Sequence, residues 1–96
     1  MEFLIIAYDG TDAGAKERRL QARGAHLAGA KAMLEAGKFI KGGAILDENG
    51  EMVGSTLMMD FESREALDQW LANDPYTTGG VWVEVEVKPI RLAFRQ

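Results

Sequence analysis

An Asn-Gly pair at positions 49 and 50 restricts the possible fold more than any other feature of this sequence. It lies between two apolar runs, FIKGGAILD at 39–47 and EMVGSTLMMDF at 51–61. Asn-Gly readily adopts the positive backbone angles of a tight two-residue turn. The arrangement therefore predicts that these two runs are adjacent antiparallel strands joined by a hairpin.

Two further strands are predicted outside the hairpin. Residues 2–9 (EFLIIAYD) carry apolar side chains on both alternating faces, which is typical of a central strand. Residues 81–88 (VWVEVEVK) alternate strictly between apolar and polar, which indicates a strand with one buried face. Pro89 is expected to interrupt this strand, and Ile90, Leu92 and Phe94 then resume a period of two.

Two helices are predicted between the strands. Residues 15–36 are rich in alanine and are followed by Gly37, a residue suited to a left-handed helix end. The expected buried stripe of this helix is Leu20, Leu27 and Leu34 with Ala30 beside them. A second helix is predicted from an N-cap at Ser63 to a stop before Pro75. Its apolar stripe comprises Ala66, Leu67, Trp70 and Leu71.

The resulting order, βαββαβ, predicts a single α+β domain over residues 1–96 with the ferredoxin-like arrangement. In that topology the first and third strands are central, and both helices cover one face of the sheet. The opposite face keeps apolar side chains, which a monomer rarely leaves in water. We therefore expect a homodimer that covers this face.

Composition excludes several classes of function. The chain has 15 Asp and Glu against 11 Lys and Arg, a formal net charge of -4, so a nucleic-acid partner is not expected. It has no cysteine and one histidine, which leaves no thiol chemistry and no multi-histidine metal site. No metal or other cofactor is expected. The apolar run at 3–7 is far too short to cross a membrane, so we expect a cytoplasmic protein without a membrane partner.

His26 and Asp74 are the candidate catalytic residues. His26 is the only side chain that ordinarily titrates near neutral pH, and Asp74 ends the second helix on the same side of the sheet. A carboxylate that holds one imidazole nitrogen leaves the other free as a general base. Taken alone, the residues favour the alternatives: a partly buried structural histidine at the rim of the leucine stripe, and an aspartate that only opens an Asp-Pro turn.

Other residues could contact a substrate in the same region. Glycines within strands, at Gly42-Gly43 and at Gly54 beside Ser55, can mark a close approach of a ligand or of another strand. Asp9 and Tyr8 end the first strand, and Tyr76 follows Asp74. Arg19 or Arg23 could bind an anionic oxygen, although the pattern favours solvated arginines on a helix surface. The candidate substrate-binding residues are thus Asp9, Ser55, Gly43, Tyr76 and Arg23.

The whole chain resembles the YCII-related family. The segments that carry the resemblance are LIIAYD, RGAHLAGAKAMLEAGKFIKGGAI, GSTLMMDFESREAL, and NDPY before a valine-rich strand that ends in KPI. Ala44 departs from the pattern, since family members often have a proline after the second glycine of the Gly-Gly pair.

This resemblance implies a dimeric α+β barrel with an active site built on His26 and Asp74. The activity it implies is cofactor-independent proton abstraction, as in the dehydrochlorination of a chlorinated hydroxyhydroquinone during aromatic degradation. A muconolactone-isomerase-like reaction is an alternative. So is a non-catalytic module that binds a small ligand or partner, in which the two residues form a structural pair.

Overall fold

The computed structural model describes residues 1–95 and contains one four-stranded sheet with three helices. The elements are β1 (Glu2–Asp9), α1 (Ala15–Glu35), β2 (Phe39–Leu46), β3 (Met52–Asp60), α2 (Arg64–Asn73), α3 (Pro75–Thr78) and β4 (Trp82–Ile90). All neighbouring strands are antiparallel, in the order β2-β3-β1-β4. The predicted ferredoxin-like α+β fold, with β1 and β3 central, is confirmed.

The hairpin between β2 and β3 forms at the predicted place, although not as a two-residue turn with both residues at positive φ. Only Gly50 of the pair has a positive φ, of 80°, in the region that favours glycine, and its N–H donates to the Asp47 carbonyl at 3.0 Å. The Asp47 carboxylate accepts hydrogen bonds from the backbone N–H groups of Asn49 at 2.8 Å and Glu51 at 3.0 Å. The turn is therefore held by both backbone conformation and a side-chain cap.

The core lies between the helices and one face of the sheet. Along β1, Phe3, Ile5 and Ala7 are buried on this face, while Leu4 and Ile6 on the other face stay partly exposed. The remaining buried core side chains come mainly from β3, α2 and the segment before β4: Leu57, Met59, Phe61, Leu67, Leu71, Tyr76, Val81 and Trp82. The alternation in β1 thus leaves an apolar strip on the face without helices.

The leucine stripe predicted as the buried face of α1 is wrong. Leu20, Leu27 and Leu34 are 62%, 47% and 54% exposed, whereas Arg19 and His26 are buried. Arg19 and His26 are seven residues apart, so they share one helix face two turns apart. This face is polar because it forms a wall of the candidate site described below. The prediction that His26 lies at the rim of a buried leucine stripe is therefore also wrong, since His26 is buried and the leucines are exposed.

Ser63 caps the N-terminus of α2, as the sequence predicts. Its Oγ accepts a hydrogen bond from the Ala66 backbone N–H at 3.1 Å. We expect Ser63→Ala to lower the free energy of unfolding by about 1 kcal/mol, because one helical N–H loses its partner. Urea denaturation would measure the change. Ser63→Asp retains a capping oxygen and should stay near the wild-type value; an equal loss in both variants would contradict the capping role.

Two prolines behave differently from expectation. Pro75 does end α2, but it also begins the short helix α3, for which Asp74 is the N-cap. Pro89 does not interrupt β4, since it pairs with Phe3 inside the strand. β4 is an edge strand, so one side of it has no neighbouring strand. A proline is tolerated when its nitrogen, which has no N–H to donate, faces that side. Beyond Ile90 the period of two does not continue as a strand, and Phe94 is 90% exposed.

Across residues 1–95, none of the helices combines the length and the apolar character that crossing a membrane requires.

Candidate active site

His26 and Asp74 are in direct contact beneath α1. His26 Nδ1 lies 2.8 Å from Asp74 Oδ2, and the two side chains are 7% and 1% exposed. Because an ionised carboxylate can only accept a hydrogen bond, Nδ1 carries the hydrogen and donates the hydrogen bond to Asp74. The imidazole therefore has a fixed orientation and a fixed tautomer.

The junction between α2 and α3 places the carboxylate. Asp74 has an extended backbone conformation, with φ -66° and ψ 139°, between the two helices. Its Oδ2 accepts a hydrogen bond from the Tyr76 backbone N–H at 2.9 Å, the bond of an N-cap. One oxygen thus both caps α3 and holds His26.

Aromatic rings enclose the imidazole. The Tyr76 ring is stacked on His26, with centroids 3.8 Å apart and an interplanar angle of 10°, and Trp82 contacts His26 edge-on at 5.6 Å. Burial raises the pKa of the Tyr76 phenol above its ordinary value, which keeps the phenol neutral at physiological pH, although the positive charges of Arg19 and Arg23 act in the opposite direction. The rings therefore supply a flat, uncharged surface next to the histidine.

A buried ion pair lies on the other side of Tyr76. Arg19 Nη1 donates to both Asp9 carboxylate oxygens at 2.9 Å, and Arg19 Cζ lies 4.8 Å from the centroid of the Tyr76 ring. Arg19 Nε is buried and has no hydrogen-bond partner among residues 1–95. The sequence-based preference for a solvated arginine is wrong for Arg19, and Asp9 serves as its counter-ion.

Ser55 joins this ion pair to the aromatic rings. Its Oγ accepts hydrogen bonds from Arg19 Nη2 at 3.1 Å and from Trp82 Nε1 at 3.2 Å. A hydroxyl has two acceptor lone pairs and one donor hydrogen, so both acceptor positions are used. The remaining O–H can donate to a ligand in the pocket.

These groups line a pocket of about 170 Å³ between α1 and the β2–β3 hairpin. Among residues 1–95, His26 Nε2 has no hydrogen-bond partner, and it is not fully sealed from solvent. The lining residues are Arg19, Arg23, His26, Leu27, Ala30, Phe39, Gly42, Gly43, Ala44, Met52, Ser55, Leu57 and Tyr76. A larger cleft of about 630 Å³ lies beyond Asp9 and contains neither His26 nor Asp74 in its lining.

The structure brings most of the candidate residues together at this pocket. Ser55, Gly43, Tyr76 and Arg23 line it with His26, and Asp9 lies behind Arg19. A Cβ atom on Gly43 would meet no atom within 4 Å, so this position leaves part of the pocket open, whereas one on Gly42 would lie 2.6 Å from the Thr56 carbonyl oxygen. Tyr8 is 44% exposed and lines the larger cleft instead.

Two residues of the site were not predicted from the sequence. Arg19 was expected to be a solvated arginine on the helix surface, and Trp82 was not among the candidate site residues. The signal for Arg19 was present: a spacing of seven puts it on the same helix face as His26, two turns earlier. Trp82 carried no such signal, because its position depends on a shift in the pairing register between β1 and β4. The shift falls between Tyr8 and Asp9 and puts Asp9 opposite Trp82. This irregularity cannot be deduced from the alternation of the last strand.

Comparison with known proteins agrees with the fold. The YCII-related domain family matches residues 1–91. The protein YciI from Escherichia coli O6:H1 is 36% identical over 98% of this chain and 100% of the relative, and a Haemophilus influenzae protein has the same identity and coverage.

A solved structure with a TM-score of 0.82 is that of 5-chloro-2-hydroxyhydroquinone dehydrochlorinase (TftG) from Burkholderia phenoliruptrix AC1100, in complex with 2,5-dihydroxybenzoquinone. It is 28% identical to this chain, and the match covers 95% of this chain and 94% of that one. The two proteins thus share their fold over nearly the whole of both chains.

Proposed function

The chain belongs to the YCII-related domain family, and from this membership and the site geometry we propose that it is a small enzyme that needs no cofactor and removes a proton from a hydroxyl of a cyclic or aromatic substrate. The reaction proposed is dehydrochlorination of a chlorinated hydroxyhydroquinone. The observation that carries the proposal is a histidine with one nitrogen held by a buried carboxylate and the other directed to a pocket.

In the proposed mechanism His26 Nε2 accepts the proton of a ring hydroxyl. Asp74 stabilises the imidazolium through the 2.8 Å hydrogen bond to Nδ1. The imidazolium returns this proton to the ring carbon that bears chlorine, which gives the keto tautomer. Chloride then leaves with the C–Cl bonding pair while a second hydroxyl loses its proton to the neutral His26, which releases it to solvent. The net change is loss of HCl to give a hydroxyquinone, with no external oxidant.

Arg19 and Ser55 are placed to stabilise the oxygen that becomes negative. The Arg19 guanidinium is held by Asp9, and the Ser55 O–H donates to no acceptor among residues 1–95 while its two lone pairs are used. Fixed donors that face developing charge in a water-poor site are an effective form of transition-state stabilisation. The proposed roles are therefore a base, its orienting carboxylate, and an oxyanion-binding pair.

Two observations support catalysis over a purely structural His-Asp pair. First, a structural histidine in a core would have both nitrogens satisfied, whereas Nε2 here has no partner among residues 1–95 and is open to the pocket. Second, TftG, which shares the fold over nearly the whole chain, is a dehydrochlorinase. An isomerase reaction would use the same proton transfer but would release no chloride.

A turnover screen tests the proposal. Purified protein would be incubated with chlorinated hydroxyhydroquinones and, in parallel, with muconolactones, while chloride release and quinone absorbance are recorded. We expect chloride release from the first group, which a His26→Ala protein should not accelerate. Isomerisation of a muconolactone without chloride release would replace the proposed reaction, and inactivity on both groups would contradict it.

We also propose a homodimer that covers the face of the sheet without helices. Leu4 and Ile6 of β1 lie on this face. A stable interface there should bury more than about 1,000 Å². Sedimentation should show a dimer at tens of micromolar, and Ile6→Glu should convert it to a monomer because a charge would be buried between the sheets. Leu20→Glu, on the exposed face of α1, is the matched control; a monomeric wild-type protein would contradict the proposal.

A further inference from the structure

We propose that Arg23 binds a permanent negative charge on the substrate, so that among cyclic and aromatic hydroxy compounds, chlorinated hydroxyhydroquinones included, the pocket prefers those whose ring also carries a carboxylate. The inference rests on the proposed function in that it takes the His26 pocket as the substrate site. It goes further by assigning a second anion-binding position, separate from the oxygen that reacts.

Arg23 forms no ion pair with any of residues 1–95. Arg23 is exposed and lines the pocket mouth, and no carboxylate among residues 1–95 lies within ion-pair distance of it. The neighbouring arginines on α1 differ in this respect, since Arg18 pairs with Asp12 and Arg19 pairs with Asp9. Arg23 is thus the one arginine of α1 left free to pair with a ligand.

The charged groups in the pocket lining are positive although the chain is acidic. The lining contains two arginines and no Asp or Glu. The two buried carboxylates behind the lining, Asp9 and Asp74, are each engaged with one side chain, Arg19 and His26 respectively, so the positive charge without a nearby counter-ion is that of Arg23. The whole chain has a net charge of -4, so the sign of the lining is the reverse of the average. Such a pocket favours anionic ligands and disfavours cationic ones.

The spacing along α1 separates the two anion-binding positions. Arg23 follows Arg19 by four residues, which places its backbone about 6 Å further along the helix axis on nearly the same face. This separation is comparable to the width of a substituted six-membered ring. A ring oxygen could therefore lie against Arg19 and Ser55 while a carboxylate on the same ring meets Arg23, whose planar guanidinium suits bidentate binding of carboxylates.

Binding measurements with a carboxylate probe and its uncharged methyl ester test this inference. The probes are 2,5-dihydroxybenzoate and its methyl ester, titrated into the full chain by calorimetry. We expect the acid to bind about fivefold more tightly than the ester, a modest factor because Arg23 is exposed. In Arg23→Gln the preference should disappear, with the affinity for the ester unchanged. The wild-type preference should also shrink at high salt.

Lys31→Gln is the matched control, because it removes one exposed positive charge from α1 outside the pocket lining. Lys31→Gln should still bind the acid more tightly than the ester. If this preference were lost in Lys31→Gln, the positive potential of the whole helix, not Arg23, would select the anion. A preference that persists in Arg23→Gln, no preference in the wild type, or no binding of either probe would each overturn the inference. Since binding needs no turnover, a preference that survives in His26→Ala stands even if the proposed reaction fails.

Discussion

Replacement of His26 by alanine should lower kcat/KM on a confirmed substrate by about 100-fold or more, the usual contribution of a positioned general base. The buried location adds a cost in stability. Without the imidazole, the Asp74 carboxylate loses one partner in a site that is almost fully closed to water, which should lower the free energy of unfolding by about 1 to 3 kcal/mol. Initial rates and urea denaturation, measured on the same preparations, separate the two effects.

His26→Gln is the second variant that makes this prediction decisive. The glutamine amide can still donate a hydrogen bond toward Asp74, so less stability should be lost, but an amide cannot accept a proton as a base. We therefore expect the same loss of activity with a smaller loss of stability. Wild-type turnover in either variant would contradict the role of His26, as would a loss of rate that only matches the fraction of unfolded protein.

Asp74→Asn should lower kcat by about 100-fold while the protein stays folded, because asparagine is also a good N-cap. Its carbonyl oxygen can accept the bond from the Tyr76 N–H that Oδ2 now accepts at 2.9 Å. The same oxygen would also accept the hydrogen bond from His26 Nδ1, as Oδ2 does at 2.8 Å, so the imidazole keeps its orientation and loses only the negative charge beside it. A neutral amide cannot stabilise the imidazolium that forms when Nε2 accepts the substrate proton, and the rate should fall for this reason.

The tautomer of the imidazole separates a loss of charge from a loss of orientation. The ¹⁵N chemical shifts of the imidazole should show the proton on Nδ1 both in the wild type and in Asp74→Asn. Asp68→Asn is the matched control, since Asp68 is an exposed carboxylate on α2 that pairs with Arg64, and it should keep the wild-type rate. Full activity in Asp74→Asn would contradict the role of the carboxylate, and a proton on Nε2 in that variant would contradict the explanation by charge.

Local chemistry made much of the fold predictable. The Asn49-Gly50 turn, the Ser63 cap and the apolar stripe of α2 depend on residues close in sequence, and the structure has all three. Pro89 was misjudged because its tolerance depends on β4 being an edge strand, which is a property of the whole sheet. The position of a strand within a sheet is fixed by distant pairings that no local pattern contains.

The helix α1 shows why the site was only partly predictable. Amphipathicity predicts the buried face from apolar residues, and here it selected Leu27 while the buried face carries Arg19 and His26. Each of these polar residues is tolerated there only because a distant carboxylate meets it, Asp9 for Arg19 and Asp74 for His26. His26 and Asp74 were singled out as a candidate pair from the sequence, but the Arg19–Asp9–Ser55 arrangement needed the structure.

The double use of Asp74 Oδ2, as cap of α3 and partner of His26, makes the base dependent on a four-residue helix. When α3 unwinds, the carboxylate loses the bond that aims it, and the imidazole loses its fixed tautomer in the same event. Variants at exposed positions such as Thr77, far from any contact with a ligand, should then present as losses of rate with little change in global unfolding. Directed evolution for activity in this scaffold would thus act in large part on the local stability of residues 75–78.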